Sequence, residues 1–178
     1  MLRRITHRKH SATSEPKFSD RQQRIYSFLR EQRVGVLSTV TPDGDPHGVV
    51  IYYDIDKNFK ATFLTRSQTH KYDNLKHRNH VMLTVFDLKT QTTVQITGKA
   101  VELTGSDEIN KVAGATLATS LKTSDGGLPP SSKLEAGDFV AFRIDPVLIR
   151  MAVYARPGHG DYEELFESIE SFDLGQQD

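Results

Sequence analysis

Apolar residues in the first half of the chain follow a helical period once and a strand period several times. Ile25, Phe28 and Leu29 form one stripe behind the capping candidates Ser19 and Asp20, which predicts a helix from residue 19 onward. Strands are predicted at residues 34–40, 46–54, 59–65, 80–86 and 92–103, with a short helix near residues 71–76. Five strands with one short helical interruption indicate a small, mostly antiparallel barrel.

The second half of the chain is less regular. Its predicted elements are a helix at residues 107–121, a mobile flap at 122–137, strands at 139–144 and 147–154, and a helix at 161–172. The two strands are taken as separate because Asp145-Pro146 interrupts the strand pattern. The last helix is predicted because Leu165, Phe166 and Ile169 could share one helical face.

Length and the character of the N-terminus set the domain organisation. A chain of 178 residues suits one domain, placed here at residues 19–178. Residues 1–18 are expected to form a flexible basic arm, since polar residues follow the basic start where a signal peptide would have an apolar core. No apolar run reaches the roughly eighteen residues of a membrane-spanning helix, so no membrane partner is expected.

Charge and cysteine content exclude several functions. Twenty-three Lys and Arg residues balance twenty-three Asp and Glu residues, so the basic field of a nucleic-acid-binding protein is absent from the sequence. Without cysteine the chain has no thiolate metal ligands and no cysteine nucleophile. This composition fits a cytoplasmic protein.

Histidines raise the question of a metal site. His77 and His80 are three residues apart and could meet on one helical face, but no carboxylate or cysteine lies at a matching spacing. No metal site is therefore predicted. His47 is expected at an exposed strand position, and His159 lies between two glycines in a predicted turn.

The junction between strand and helix in residues 63–75 is the strongest candidate for a ligand site. The first N–H groups of a helix have no partner within the helix, and the peptide dipoles place roughly half a positive charge there. A phosphate would satisfy both. The hydroxyl and cationic side chains around this point belong to Thr65, Arg66, Ser67, Thr69 and Lys71. The alternative is that Ser67 or Thr69 only caps the helix and that the cations are solvated.

Several motifs follow one another in a specific order. They are Val-Gly-Val-Leu-Ser-Thr-Val, Thr-Pro-Asp-Gly-Asp-Pro-His, Phe-Leu-Thr-Arg, Thr-His-Lys-Tyr-Asp-Asn-Leu and Val-Gln-Ile-Thr-Gly-Lys-Ala. In this order and spacing, over about residues 22–154, the chain resembles the pyridoxamine 5′-phosphate oxidase-like FMN-binding split barrels. The resemblance implies a mostly β protein, a split β-barrel of antiparallel Greek-key type with peripheral helices.

The resemblance also implies an activity and partners. The expected protein is a homodimer that binds FMN at the subunit interface and oxidises or reduces a small, unidentified molecule by hydride transfer through the flavin. By position in the motifs, the expected cofactor-binding residues are Val49, Val50, Ile51 and Tyr52 at the flavin ring, Leu64 and Thr65 near the ring and ribityl chain, Thr69, His70 and Lys71 at the phosphate, and Thr93 in place of a glutamine. Arg66 is added to this set as a cation of the junction.

Departures from the oxidase pattern affect the substrate most. Asp54 stands where the oxidase has a lysine for the substrate phosphate, and Lys111 and Ala115 replace its substrate-binding tyrosine and arginine. A carboxylate there would repel a phosphate dianion, so pyridoxamine phosphate is not the predicted substrate. Val49 and His70 each replace an arginine, which predicts weaker FMN binding.

Other cofactors and a non-catalytic role remain open at this point. Split barrels of this superfamily also bind the 8-hydroxy-5-deazaflavin coenzyme or haem, and the chain could carry or store a flavin without turnover. No catalytic side chain is predicted, because a flavin supplies the redox step and the protein supplies position and electrostatics.

Overall fold

A computed structural model describes residues 18–123, 139–154 and 166–174. Within these ranges the elements are α1 Asp20–Gln32, β1 Val34–Val40, β2 Pro46–Tyr52, β3 Asp54–Ile55, β4 Ala61–Arg66, α2 His70–His77, β5 His80–Asp87, β6 Thr92–Glu102, α3 Ser106–Thr123, β7 Phe139–Tyr154 and β8 Phe166–Asp173. The predicted flap lies outside the described residues from 124 onward, as does the predicted arm up to residue 17. None of the helices in the described ranges is long and apolar enough to cross a bilayer.

Helix α1 begins as the sequence predicts. Ser19 Oγ accepts a hydrogen bond from the Gln22 amide at 3.3 Å, and Gln22 Oε1 accepts one from the Ser19 amide at 3.0 Å. This reciprocal cap satisfies two N–H groups at the start of the helix. Ile25 and Leu29 are fully buried and Phe28 packs beside them, so the predicted apolar stripe is confirmed.

The strands form one curled antiparallel sheet in the order β2-β1-β5-β6-β7-β4-β3, with β8 added along β7. Inward-facing residues from successive strands fill a single core, including Leu37, Ile51, Phe63, Leu83, Ile96 and Ile149. Alternate residues point to opposite faces, which is why a period of two in the sequence identifies these strands. The prediction of a mostly β, antiparallel split barrel is confirmed.

The barrel is split between β2 and β4. Strand β2 pairs with β1, and β3 pairs with β4. Tyr53 lies between the end of β2 and the start of β3. Its amide donates to Arg33 O at 3.0 Å and its hydroxyl donates to Leu29 O at 2.8 Å. Burial raises the pKa of the Tyr53 hydroxyl, which stays protonated and bonded. The chain bends at this residue, and β2 lies beside β4 without pairing to it in the described residues.

Strand β7 is continuous, and the predicted break at Asp145-Pro146 is wrong. Pro146 lies opposite Gly98 of β6, where the pairing register shifts at a bulge. A bulge leaves a residue out of the ladder and tolerates the missing N–H of proline. A Cβ atom on Gly98 would overlap the carbonyl oxygen of Asp145, so glycine allows the two strands to stay together here.

The predicted C-terminal helix is also wrong over the residues described. Residues 166–173 form strand β8, which pairs antiparallel with β7. Ile169, expected on a buried helical face, is 64% exposed, whereas Glu170 is half-buried and forms an ion pair with Arg24. The free edge of β7 offered hydrogen bonds that outweighed the weak helical pattern. Tyr162, Leu165 and His159 lie outside the described residues.

Two glycine substitutions should have opposite effects on stability. Gly98→Ala should destabilise the protein by about 1–3 kcal/mol, because the added methyl group forces β6 and β7 apart. Gly114→Ala in α3 should stabilise it by up to about 1 kcal/mol, because no atom lies within 4 Å of the new Cβ and alanine favours the helix. Urea unfolding of both variants measures this difference, and equal effects would contradict the role given to Gly98.

Candidate functional site

The junction between β4 and α2 is built around two threonines. Thr69 is the N-cap of α2, and its Oγ1 accepts from the Tyr72 amide at 3.3 Å and donates to Arg66 O at 2.9 Å. Thr65 is buried at the end of β4, with its Oγ1 3.0 Å from Thr69 Oγ1. Thr69 therefore caps α2, which is one part of the alternative given for this junction. The remaining N–H groups of the first turn still have no acceptor within the helix.

Lys71 in the first turn of α2 is half-buried. Burial lowers the pKa of its ammonium, and within the described residues no hydrogen bond or ion pair reaches that group. A desolvated ammonium without a counter-charge is unfavourable, and an anionic ligand would relieve it. The neighbouring predicted residues Arg66, Ser67 and His70 are exposed around the same turn.

A buried polar chain, not predicted from the sequence, fixes α2 against the β1–β2 hairpin. Asn74 Nδ2 donates to Thr39 Oγ1 at 3.0 Å, and both residues are buried. Thr39 Oγ1 also lies 3.4 Å from His47 Nδ1. His47, expected at an exposed position, is half-buried, and its ring centroid is 6.5 Å from that of His70. The only hint in the sequence is a threonine at an inward-facing position of β1.

The predicted ring-binding residues lie along the open side of β2. Val49 and Ile51 point into the core, whereas Val50 is 63% exposed and Tyr52 is half-buried on the outer face. Strand β2 pairs with β1 on one side and faces the gap toward β4 on the other. Backbone groups on the gap side are therefore available to a ligand, as expected from the positions of these residues in the motifs.

Leu64 and Thr93 lie away from this junction. Leu64 packs under α3 in a small apolar cluster. Thr93 pairs with Phe86 and Ala152 on the outer face of the sheet. Strand β5 begins at His80, shortly after the end of α2. Phe86, the neighbour of Thr93, lies about 20 Å further along this strand. Within a single chain, the predicted residues that lie together beside the open edge of β2 are therefore Thr65, Arg66, Thr69, His70 and Lys71.

A cavity of about 260 Å³ lies between α3 and the β3–β4 hairpin. It is lined by Asp54, Lys111 and Ala115, the three positions at which the chain departs from the substrate-binding residues of the oxidases. Asp54 forms an ion pair with Arg33 and lies 3.8 Å from Arg30. The structure thus brings together residues from β3 and α3 that are far apart in the sequence.

The histidines that raised the question of a metal are both at the surface. His77 and His80 are exposed at the end of α2 and the start of β5. Across residues 18–123, 139–154 and 166–174, no three His, Asp or Glu side chains are arranged to hold a metal ion.

Solved structures with the same fold span different cofactors. A haem-binding protein from Mycobacterium smegmatis superposes with a TM-score of 0.64 at 16% identity, covering 89% of this chain and 60% of that protein. An FMN-binding, pyridoxamine 5′-phosphate oxidase-related protein from Nostoc punctiforme PCC 73102 gives 0.57 at 15% identity, covering 89% and 99%. PhzG from Burkholderia lata 383, in complex with tetrahydrophenazine-1-carboxylic acid, gives 0.54 at 19% identity, covering 85% and 89%. At these identities the superpositions show the shared fold alone.

Comparison of the sequence itself identifies the family. No curated protein matches the chain significantly. The family model described as pyridoxamine 5′-phosphate oxidase matches residues 22–152, which run from the first turns of α1 nearly to the end of β7. The chain therefore belongs to the pyridoxamine 5′-phosphate oxidase family.

Proposed function

We propose that this protein is an FMN-dependent oxidoreductase that acts on a small molecule by hydride transfer through the flavin. The observation that carries the proposal is Lys71, a half-buried ammonium without a counter-charge in the described residues. It lies in the first turn of a helix, where N–H groups and the helix dipole also favour an anion. The ribityl phosphate of FMN has the charge and size that this turn favours.

The chain's own residues would bind and orient the cofactor. Lys71 and the first N–H groups of α2 would hold the phosphate, while the unpaired backbone edge of β2 would face the flavin ring. Val49 packs in the core and His70 is exposed, so neither supplies the fixed cation that an arginine would give at those positions. Lys71 would therefore carry most of the phosphate affinity. The flavin itself would supply the redox chemistry.

A second copy of the chain would complete the site. Phe86, Thr93, Ala152 and Ile169 are paired in one row across the outer face of β5, β6, β7 and β8. Phe86 is 55% exposed in this row, and Val50 is exposed on the outer face of β2. Exposed apolar side chains on one sheet face favour association. In a homodimer, Thr93 would then reach the flavin from the partner subunit.

Haem binding is the second candidate. It is favoured by the pair of imidazole rings at His47 and His70, which lie beside the same junction and could ligate iron. The solved haem-binding neighbour from Mycobacterium smegmatis shares the fold. The deazaflavin coenzyme and a non-catalytic flavin carrier remain alternatives of the same architecture. The absence of cysteine fits a reducing compartment, and we place the protein in the cytoplasm.

The bound cofactor is the first test. The visible spectrum and mass of the small molecule that co-purifies should identify FMN, and the stripped protein should bind FMN at one per subunit. Bleaching of the flavin band by NADH or NADPH, followed by recovery with an added acceptor, would separate an enzyme from a carrier. A Soret band or the deazaflavin spectrum, with no affinity for FMN, would overturn the proposal and keep the fold.

Lys71→Met should weaken FMN binding and stabilise the cofactor-free protein. Loss of one charge-assisted contact should reduce FMN affinity about tenfold to a hundredfold. The folded protein lowers the pKa of Lys71, so its ammonium destabilises the fold below that pKa, and the penalty disappears as the pH approaches the pKa of the unfolded chain. The stability gain of the variant should therefore shrink at alkaline pH. FMN titration and urea unfolding measure the two effects.

Lys76→Met is the matched control for this prediction. Lys76 lies on the same helix but is exposed and forms an ion pair with Glu102 at 3.0 Å. Its substitution should leave FMN affinity unchanged. An unchanged affinity in Lys71→Met, or an equal loss in both variants, would contradict the phosphate site.

Charge on the outer sheet face should break the homodimer. Val50→Glu and Phe86→Glu should each shift the protein toward the monomer in sedimentation velocity and lower FMN retention. Both side chains are already exposed, so the monomer should stay folded by circular dichroism. Leu117→Glu is the control, because Leu117 is also exposed but lies on α3. A dimer that persists in both sheet variants would exclude this face as the interface.

A further inference from the structure

The cavity beneath α3 has a floor made of two rows of polar side chains. Asp54, Thr62 and Arg143 are direct neighbours across β3, β4 and β7. In the next row, Lys60 Nζ lies 3.6 Å from Asp145. Side chains that face each other across strands share one sheet face, so both rows point toward α3.

Charges in the lining cancel. It contains three carboxylates and three cations, namely Asp54, Asp56, Glu108, Lys60, Lys111 and Arg143. A cavity that binds a phosphate dianion needs an excess of positive charge, because the ligand must lose much of its hydration. This cavity has no such excess in its described lining.

Most of these charged groups already form ion pairs. The Arg143 guanidinium donates to both carboxylate oxygens of Asp145, at 2.8 and 3.1 Å, and lies 3.7 Å from Glu108. This pairing raises the pKa of Arg143 and lowers that of Asp145, so both stay ionised near neutral pH. Asp54 is held by Arg33. These groups form the rigid frame of the cavity.

Three polar groups of the lining remain open to a ligand. Asp56 Oδ1 accepts from the amides of Asn58 and Lys60, while its second oxygen has no partner in the part of the chain that the structure describes. The hydroxyl of Thr62 and the ammonium of Lys111 likewise make no hydrogen bond or ion pair within those ranges. The open set is thus one acceptor with a negative charge, one hydroxyl and one cationic donor.

We infer that this cavity binds the polar end of an unphosphorylated small molecule that has no net negative charge, with a donor group on Asp56 and an acceptor on Thr62 and Lys111. It discriminates against phosphate esters because the open carboxylate of Asp56 offsets the open ammonium of Lys111, and no net positive charge is left to neutralise a dianion. The cavity stands as a binding site by itself; that its occupant is the substrate rests on the proposed flavin function.

Pyridoxamine and pyridoxamine 5′-phosphate are matched probes, since they differ only by the phosphate. Calorimetric titration near neutral pH should give at least about tenfold tighter binding of pyridoxamine. The FMN-loaded protein is used, because the flavin phosphate then fills the turn at α2; the stripped protein is used only if it has no affinity for FMN. Thr62→Val should weaken pyridoxamine binding about twofold to tenfold by removing the open hydroxyl. Equal affinity for the two probes, or no binding of either probe, would overturn the inference.

Variants that change charge but keep shape test the selectivity directly. Asp56→Asn and Glu108→Gln each remove one negative charge from the lining, and should each improve binding of the phosphorylated probe relative to pyridoxamine by about threefold to tenfold. Asp107 lies on α3 next to Glu108 but outside the lining, so Asp107→Asn should leave the ratio of the two probe affinities unchanged. The inference would be contradicted if neither lining variant changed the ratio of the two probe affinities, or if all three variants changed it equally.

The two proposals fail separately. If the stripped protein has no affinity for FMN but binds the probes with the expected ratio, the cavity stands and the flavin function falls. If FMN binds and the two probes bind with nearly equal affinity, the flavin function stands and the inference about the cavity falls.

Discussion

Tyr53 fixes the bend at which the chain leaves β2 and enters β3, and both of its hydrogen bonds go to the end of α1. Arg33 ends that helix in the left-handed conformation, with φ at 56°, and also pairs with Asp54. The end of α1, the start of β1 and the opening of the barrel therefore depend on one small group of residues. Because β2 turns away from β4 here, its backbone keeps an unpaired edge. Such an edge is a liability unless something covers it, and a ligand held in the gap would do so.

The junction between β4 and α2 likewise combines stabilising contacts with one unfavourable group. Thr69 caps the helix as any N-cap would, and Asn74 and Thr39 bury their polar groups against each other. These contacts make the helix rigid. Lys71 does the opposite, since its ammonium loses hydration without gaining a partner in the described residues. A partly desolvated ammonium on an otherwise well-bonded turn is compatible with a binding site, at which an anionic ligand would relieve the unfavourable burial.

Sequence periodicity predicted the elements whose partners are close in the chain. The cap at Ser19, the β1–β2 hairpin and the start of α2 all follow from local chemistry. It failed where a distant partner decides the structure: Pro146 lies within a strand because Gly98 accommodates a bulge, and residues 166–173 are a strand because β7 has a free edge. The site divides in the same way. The turn at the start of α2 could be predicted, whereas the contact between Asn74 and Thr39 and the row from Asp54 to Arg143 depend on elements that are far apart in the sequence.

The difference in charge between the two sites also explains how a phosphorylated cofactor could be oriented. The whole chain has no net charge, and neither has the described lining of the α3 cavity. Were the α3 cavity cationic, a flavin phosphate would find two competing positions, and the ring would bind in more than one direction. In that cavity Arg143 is ion-paired and three carboxylates balance the three cations, whereas Lys71 has no carboxylate paired with it in the described residues. Under the proposed function, a dianion would therefore be favoured at α2, and the flavin ring would be directed toward the open edge of β2. If the proposed function holds, the carboxylates beneath α3 would act on the cofactor as well as on the substrate, because they would make the wrong orientation of the flavin unfavourable.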